Sequence, residues 1–142
     1  MKHFNFWQKW LLAVGILISV FGVFMAFFNQ TPIFDIFNNQ INPVFWDSDA
    51  LSTASQNYQG WMYAVWGSTI AGWGVMVIFI VQAGYKNKMR WAWNALAWGL
   101  TLWYLLDTGF SLYYGVIFNV FFNSGLLLLF ALPLAFTREA FK

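Results

Sequence analysis

The chain has 142 residues, of which 61% are hydrophobic and 8% are charged, and its formal net charge is +2. Soluble domains carry about 25% charged residues, so this composition predicts one integral membrane domain over residues 1–142 and no separate soluble catalytic domain. The sequence has no cysteine and one histidine, His3, which excludes disulfides, thiolate metal sites and a pair of axial haem histidines within the chain.

Four apolar stretches predict four membrane-spanning helices, at about residues 10–28, 61–81, 90–107 and 112–136. We therefore expect an all-α fold, an up-down four-helix bundle in a membrane. The first stretch is longer than the apolar region of a signal peptide, and no small-residue cleavage site follows it. We expect it to be retained as a span.

Small residues interrupt the first two predicted spans at helical spacing. They are Gly15, Ser19 and Gly22 in the first span, and Ala64, Ser68 and Gly72 in the second. Small side chains let helix backbones approach closely in lipid. Both sets are therefore predicted to lie at helix contacts.

The loop between these two spans contains a further helix signal. Thr31 followed by Pro32 is typical of a helix start. The stretch 33–45 mixes apolar residues with Asn and Gln and is too short and polar to cross a membrane, so we expect a short helix along the outer interface. Asp47 or Ser48 is expected to cap a helix that continues into the second span.

All seven basic residues lie on one side of the four predicted spans. They are Lys2, Lys9, Lys86, Lys88, Arg90, Arg138 and Lys142. The positive-inside rule then predicts a multi-pass protein of the bacterial cytoplasmic (inner) membrane with both termini in the cytoplasm. No long basic run is present, and no nucleic-acid partner is expected.

Asp107 is an acid inside a predicted span, and such acids are rare and often functional. A rise of about 1.5 Å per residue places it level with Asn119 and Asn123, near the outer edge of the hydrocarbon core. Ser68 and Thr69 lie at the same depth in the second span. The predicted polar cluster contains Asp107, Asn119, Asn123, Ser68, Thr69 and Ser111.

Two interpretations of this cluster stay open. It is a hydrogen-bonded clamp between the third and fourth spans, or it is a site for a ligand, an ion or a proton. One carboxylate with amides is a weak ligand set for a hard cation, so no metal site is predicted.

Aromatic residues make up 23% of the chain. Four tryptophans lie away from the expected interfacial belts and are candidates to line an apolar pocket. They are Trp66, Trp73, Trp98 and Trp103. The expected ligand is a quinone, a carotenoid or another lipophile.

The sequence favours a non-enzymatic role. No Cys or His lies in a predicted span, so the usual nucleophiles and bases are missing, and no catalytic residue is predicted. We expect an accessory or structural subunit of a larger membrane complex, in contact with other membrane subunits or with its own copies in the lipid bilayer. The alternatives are a lipid- or quinone-modifying enzyme that uses Asp107, and an oligomeric channel or proton-linked transporter.

Overall fold

The computed structural model describes residues 3–46 and 51–142, and every regular element in these two stretches is helical, as predicted. The α-helices in chain order are α1 Phe4–Phe28, α2 Asp35–Phe45, α3 Thr53–Phe79, α4 Arg90–Tyr113 and α5 Ile117–Thr137. A 3-10 turn, Pro32–Phe34, precedes α2, and another, Arg138–Phe141, follows α5. A π-helical turn, Ile80–Tyr85, extends α3.

The start of α3 is set by a serine cap. The Ser52 hydroxyl oxygen accepts a hydrogen bond from the Ser55 backbone N–H at 3.1 Å, which satisfies one of the free donors of the first turn. Asp47 and Ser48, the caps expected from the sequence, lie outside the described residues.

Within the described residues, three helical segments are long and apolar enough to cross a membrane: Phe4–Phe28, Thr53–Tyr85 and Ile117–Phe141. The helix α4 has 24 residues, a similar length, but Asn94, Thr101 and Asp107 make it more polar. It continues beyond Asp107 to a turn at 114–116, where Gly115 has a φ of 76° that favours glycine. The hairpin between α4 and α5 therefore lies later than the predicted boundary at 107–112.

Glycines bring α1 and α3 into close contact. A Cβ added at Gly22 would lie 2.5 Å from the Gly67 carbonyl oxygen, and one added at Gly67 would lie 2.6 Å from the Ala26 nitrogen. A Cβ at Gly74 would lie 2.6 Å from the Ser19 nitrogen. These neighbours are backbone atoms, which cannot rotate aside, so the missing side chains set the distance between the two helices.

Of the predicted ridge Ala64, Ser68 and Gly72, the last two residues are exposed and take no part in this contact. No atom lies within 4 Å of a Cβ placed on Gly72. Ser68 is exposed, and its hydroxyl donates to the Ala64 carbonyl of its own helix at 2.8 Å. The face of α3 that meets α1 carries Gly67 and Gly74 instead. Since both faces of α3 have small residues at helical spacing, the repeat alone does not tell which face is covered. We call Ala64, Ser68 and Gly72 the outer ridge.

Aromatic side chains attach α2 to the other helices. The Phe37 ring contacts rings of α1 and α5, with centroids 6.2 Å from Phe21 and 5.5 Å from Phe118. The Tyr63 hydroxyl of α3 donates to the Asn38 side-chain oxygen at 3.0 Å. The short helix is therefore packed across the ends of three long helices.

The chain ends and the turn between α3 and α4 meet at the opposite end of the molecule. The Phe141 ring lies 6.0 Å from Phe4 and 4.6 Å from Tyr85. The Lys88 ammonium lies 5.3 Å from the centre of the Phe4 ring. We call this the basic end, because it carries Lys86, Lys88, Arg90, Arg138 and Lys142.

Two indole groups complete the hydrogen bonding of α5. Pro133 has no N–H, so the Leu129 carbonyl four residues earlier loses its helical donor. The Trp10 indole N–H donates to this carbonyl at 2.9 Å and joins α1 to α5. Near the end of α5, the Trp93 indole donates to the Leu134 carbonyl at 2.9 Å and joins α4 to α5.

The long helices pack side by side in the order α3, α1, α5, α4. The helix α4 packs along α5 and against the π-helical turn, and it hardly approaches the remainder of α3. This arrangement leaves a groove between α3 and α4.

Candidate functional site

The hairpin of α4 and α5 builds the polar cluster. The two helices run antiparallel from Gly115, so residues equally far from it face one another. Ser111 then pairs with Asn119, and Asp107 pairs with Asn123. Asp107 and Ser111 are four residues apart on α4, and Asn119 and Asn123 are four apart on α5. Each helix therefore carries its two residues on one face.

The Asp107 carboxylate is held through one oxygen. Its Oδ1 accepts hydrogen bonds from Asn119 Nδ2 at 2.7 Å and from Asn123 Nδ2 at 2.8 Å. The Ser111 hydroxyl lies 3.4 Å from the same oxygen and 2.7 Å from the Asp107 backbone carbonyl. Asn123 is only 2% exposed, because its amide faces the carboxylate between the two helices.

Each asparagine amide nitrogen contacts two acceptors inside the cluster. Asn119 Nδ2 also contacts Ser111 Oγ at 2.8 Å, and Asn123 Nδ2 also contacts Thr108 Oγ1 at 3.3 Å. Three acceptor atoms receive no hydrogen bond from the described part of the chain: Asp107 Oδ2, Asn119 Oδ1 and Asn123 Oδ1.

The structure brings together four of the six residues of the predicted cluster and leaves out two. Ser68 and Thr69 are exposed on α3, where their hydroxyls donate to carbonyls of their own helix, at 2.8 and 3.1 Å. They stay apart because α3 pairs with α1 and hardly approaches α4 at this level. Equal depth in a membrane does not place two helices side by side.

Thr108 is a member that the sequence analysis missed. It is buried and accepts from Asn123. Its position relative to Gly115 is the signal that identifies it, since Thr108 lies seven residues before this glycine and Asn123 lies eight after it. The Tyr104 and Ser124 hydroxyls, 3.2 Å apart, form a further contact between α4 and α5.

The groove between α3 and α4 is apolar. It encloses a cavity of about 110 Å³, lined by Trp73, Met76, Val77, Ile80, Ala95, Leu96, Gly99, Leu100 and Phe130. Of the four tryptophans singled out in the sequence, Trp73 lines the cavity. The Trp103 ring packs on Trp73, with the two ring centroids 5.8 Å apart. Trp66 and Trp98 lie elsewhere and are 50% and 73% exposed.

The groove and the polar cluster follow one another along α4. Gly99 lines the cavity, Trp103 lies one turn above it, and Asp107 lies one further turn above Trp103. Residues four apart in a helix share a side. The polar cluster therefore lies two helical turns from the cavity, and none of its residues is among those that line the cavity.

Residues 3–46 and 51–142 contain no group of three His, Cys, Asp or Glu side chains placed to hold a metal ion. No protein-family model matches the sequence, and no curated protein or solved structure matches it either.

Proposed function

We propose that this chain is a four-span accessory subunit of a larger complex in a bacterial cytoplasmic membrane, and that it holds a lipophilic molecule. In this proposal α4 is the fourth span. Its 24 residues correspond to about 36 Å at a rise of about 1.5 Å per residue, enough to cross the hydrocarbon core. The meeting of Phe4 with Phe141 supports an even number of crossings.

Both termini are on the cytoplasmic side in this proposal, and α2 lies along the outer interface. The basic end supports this orientation, because Lys and Arg near span ends favour the cytoplasm. The helix α2 lies at the end of the molecule opposite the basic end. Ile33 and Ile36 are exposed close to the amide side chains of α2, as expected for a helix between lipid and water.

The observation that carries the subunit role is the outer ridge of α3. Small-residue ridges allow close helix packing in membranes, and the chain's own α1 covers the other face of α3. The outer ridge lies among large exposed apolar side chains, including Trp61, Val65 and Met76. A helix from another membrane protein, or from a second copy of this chain, fits against it.

The hydrogen bonds of the polar cluster support a structural role. The Oδ1 atom of Asp107 accepts from both asparagines of α5, so the cluster joins two helices. No observation favours a channel or a transporter, for which broken helices or repeats are expected.

The test is extraction of the protein into native nanodiscs, followed by mass measurement of the intact particle. We expect a second membrane protein or a second copy at fixed stoichiometry. Gly72→Leu fills the outer ridge and should release this partner. Gly125→Leu is the matched control, since a Cβ at Gly125 also meets no atom within 4 Å, and it should keep the partner. A wild-type chain that is extracted alone contradicts the subunit role.

A further inference from the structure

The turn between α3 and α4 concentrates positive charge on the surface of the basic end. Lys86, Lys88 and Arg90 lie within five residues of one another, and all three side chains are exposed. Residues 50–106 contain no Asp or Glu, so no carboxylate of α3, the turn or the adjoining part of α4 offsets these charges. A ligand of this surface is therefore expected to be an anion.

The fold brings a fourth cation to the turn. The Tyr85 hydroxyl is hydrogen-bonded to the Thr137 hydroxyl, so Arg138, the next residue, starts beside the turn. The 3-10 turn that Arg138 begins also contacts α4. The one acid of that segment, Glu139, pairs with Lys142 at 2.6 Å, which is the one ion pair among the residues that the structure describes. The four gathered cations have no carboxylate partner in this part of the chain.

Lys88 occupies a backbone conformation that usually belongs to glycine. Its φ is 56°, in the left-handed region. Two hydrogen bonds typical of a helix C-terminus close the turn at 2.9 Å, from the Lys88 N–H to the Tyr85 carbonyl and from the Met89 N–H to the Gly84 carbonyl. Strain of this kind is concentrated at functional sites. Glycine would form the same turn without strain, so the lysine contributes something that the turn itself does not need.

The surroundings of these cations are apolar and exposed. The Lys88 ammonium lies 5.3 Å from the centre of the Phe4 ring, which leaves its charge uncompensated. Trp91 and Met89 are 52% and 47% exposed, and the Trp91 indole N–H donates to Met89 Sδ at 3.2 Å. Tryptophan beside Lys and Arg is expected at the level of lipid head groups. The surface thus combines cations with an apolar flank, which matches an anionic amphiphile.

We propose that the turn 86–90, together with Arg138, binds the head group of an anionic phospholipid in the cytoplasmic leaflet. The phosphate oxygens accept hydrogen bonds from the Lys and Arg side chains, and Trp91 and Met89 contact the glycerol and the upper acyl chain. Basic pockets on the cytoplasmic side of membrane helices bind such head groups. No residue of the turn lines the cavity, so this site goes beyond the proposed function, and only the choice of leaflet depends on the proposed orientation.

The experiment uses the full chain in detergent and two phospholipids with identical acyl chains, phosphatidylglycerol and phosphatidylcholine. Both contain a phosphate, but the choline group carries a positive charge that compensates it. Titration followed by native mass spectrometry should show at least about a tenfold preference for phosphatidylglycerol, or about 1.4 kcal/mol. Equal binding of the two lipids overturns the proposal, and this comparison needs no variant.

Two double variants of equal charge locate the site. Lys88→Gln with Arg90→Gln should remove most of the preference, whereas Lys9→Gln with Lys142→Gln should leave it unchanged. Lys9 lies five residues after Phe4, about 140° around α1 from the ring that meets Lys88, and Lys142 already has an ion pair. Equal losses from the two double variants would follow from net charge alone and overturn the assignment to the turn.

Lys88→Gly separates lipid binding from folding. Glycine adopts the left-handed conformation without strain, so the melting temperature without lipid should stay equal or rise, while the preference for phosphatidylglycerol falls. A lower melting temperature with an unchanged preference would show that Lys88 serves only the fold, and it overturns the role of Lys88 in the site.

Further arms distinguish a lipid from other anions. Inorganic phosphate and a poly-glutamate peptide, added separately, should neither raise the melting temperature nor displace phosphatidylglycerol. Stabilisation by phosphate would show a site for a soluble anion, and displacement by the peptide would show a surface for an acidic protein; either result overturns the lipid assignment. Gly72→Leu should lose the partner subunit and keep the lipid preference. A wild-type chain that keeps its partner without any lipid preference overturns this inference alone.

Discussion

At the scale of single residues, Gly22 shows how a missing methyl group decides a helix contact. Its surroundings are the backbone of α3, including the Gly67 carbonyl oxygen at 2.5 Å from a Cβ position. We expect Gly22→Ala to destabilise the protein by about 1–3 kcal/mol, the usual cost of overpacking, because the two helices must separate. Thermal or denaturant unfolding in a mild detergent measures this change.

Gly72→Ala is the control for Gly22→Ala. Its Cβ meets open space, and alanine favours a helix over glycine by about 0.5–1 kcal/mol, so this variant should be neutral or stabilising. Equal losses from the two variants would contradict the assigned contact face of α3.

Asn123 carries the second residue-scale prediction. It donates to Asp107 and Thr108 from a buried position, and hydrogen bonds between membrane helices contribute about 0.6–2 kcal/mol each. Asn123→Leu should therefore lower the unfolding free energy by about 1–3 kcal/mol, an effect that the same unfolding assay detects. Ser68→Ala, which removes a hydroxyl bonded only within its own helix, should change it little.

At the scale of helices, Pro133 and Trp10 form a coupled pair. Proline removes a donor from α5, and the indole N–H replaces it at the Leu129 carbonyl. Trp10→Phe leaves this carbonyl without its donor and should cost about 1–3 kcal/mol. Pro133→Ala restores a backbone N–H, so the cost of Trp10→Phe should be smaller in that background.

A double-mutant cycle on these two sites measures the coupling. Additive effects would mean that the indole hydrogen bond contributes nothing to stability. Trp98→Phe is the matched control, because Trp98 is largely exposed, and its cost should be small and independent of Pro133.

At the scale of the whole molecule, the question is whether α4 crosses the membrane. The sequence contains no cysteine, so single cysteines are unambiguous labels. Asn87→Cys lies at the basic end, and Tyr114→Cys lies in the turn at the far end of α4; both positions are exposed. We expect membrane-impermeant maleimide to label Tyr114→Cys in intact cells, and Asn87→Cys only after the membrane is opened. Labelling of both from the same side would contradict a fourth span.

Local patterns were sufficient for part of the polar cluster. An acid within an apolar segment and two asparagines four residues apart identify Asp107, Asn119 and Asn123, because both the cost of burying polar groups and helical periodicity act within one short stretch. Ser68 and Thr69 share only their depth with that cluster. Depth follows from counting along a helix, whereas adjacency depends on which helices pack together.

The sequence by itself determined the all-helical character of the chain, the apolar segments and the grouping of basic residues, since these depend on composition and periodicity along the chain. Only the tertiary structure decided that α1 covers Gly67 and Gly74 and leaves the outer ridge open, that Trp10 reaches the carbonyl freed by Pro133, and that a groove remains beside α4. The physical reason is that these features arise between helices, where backbone approach and side-chain fit choose among faces that look alike in sequence.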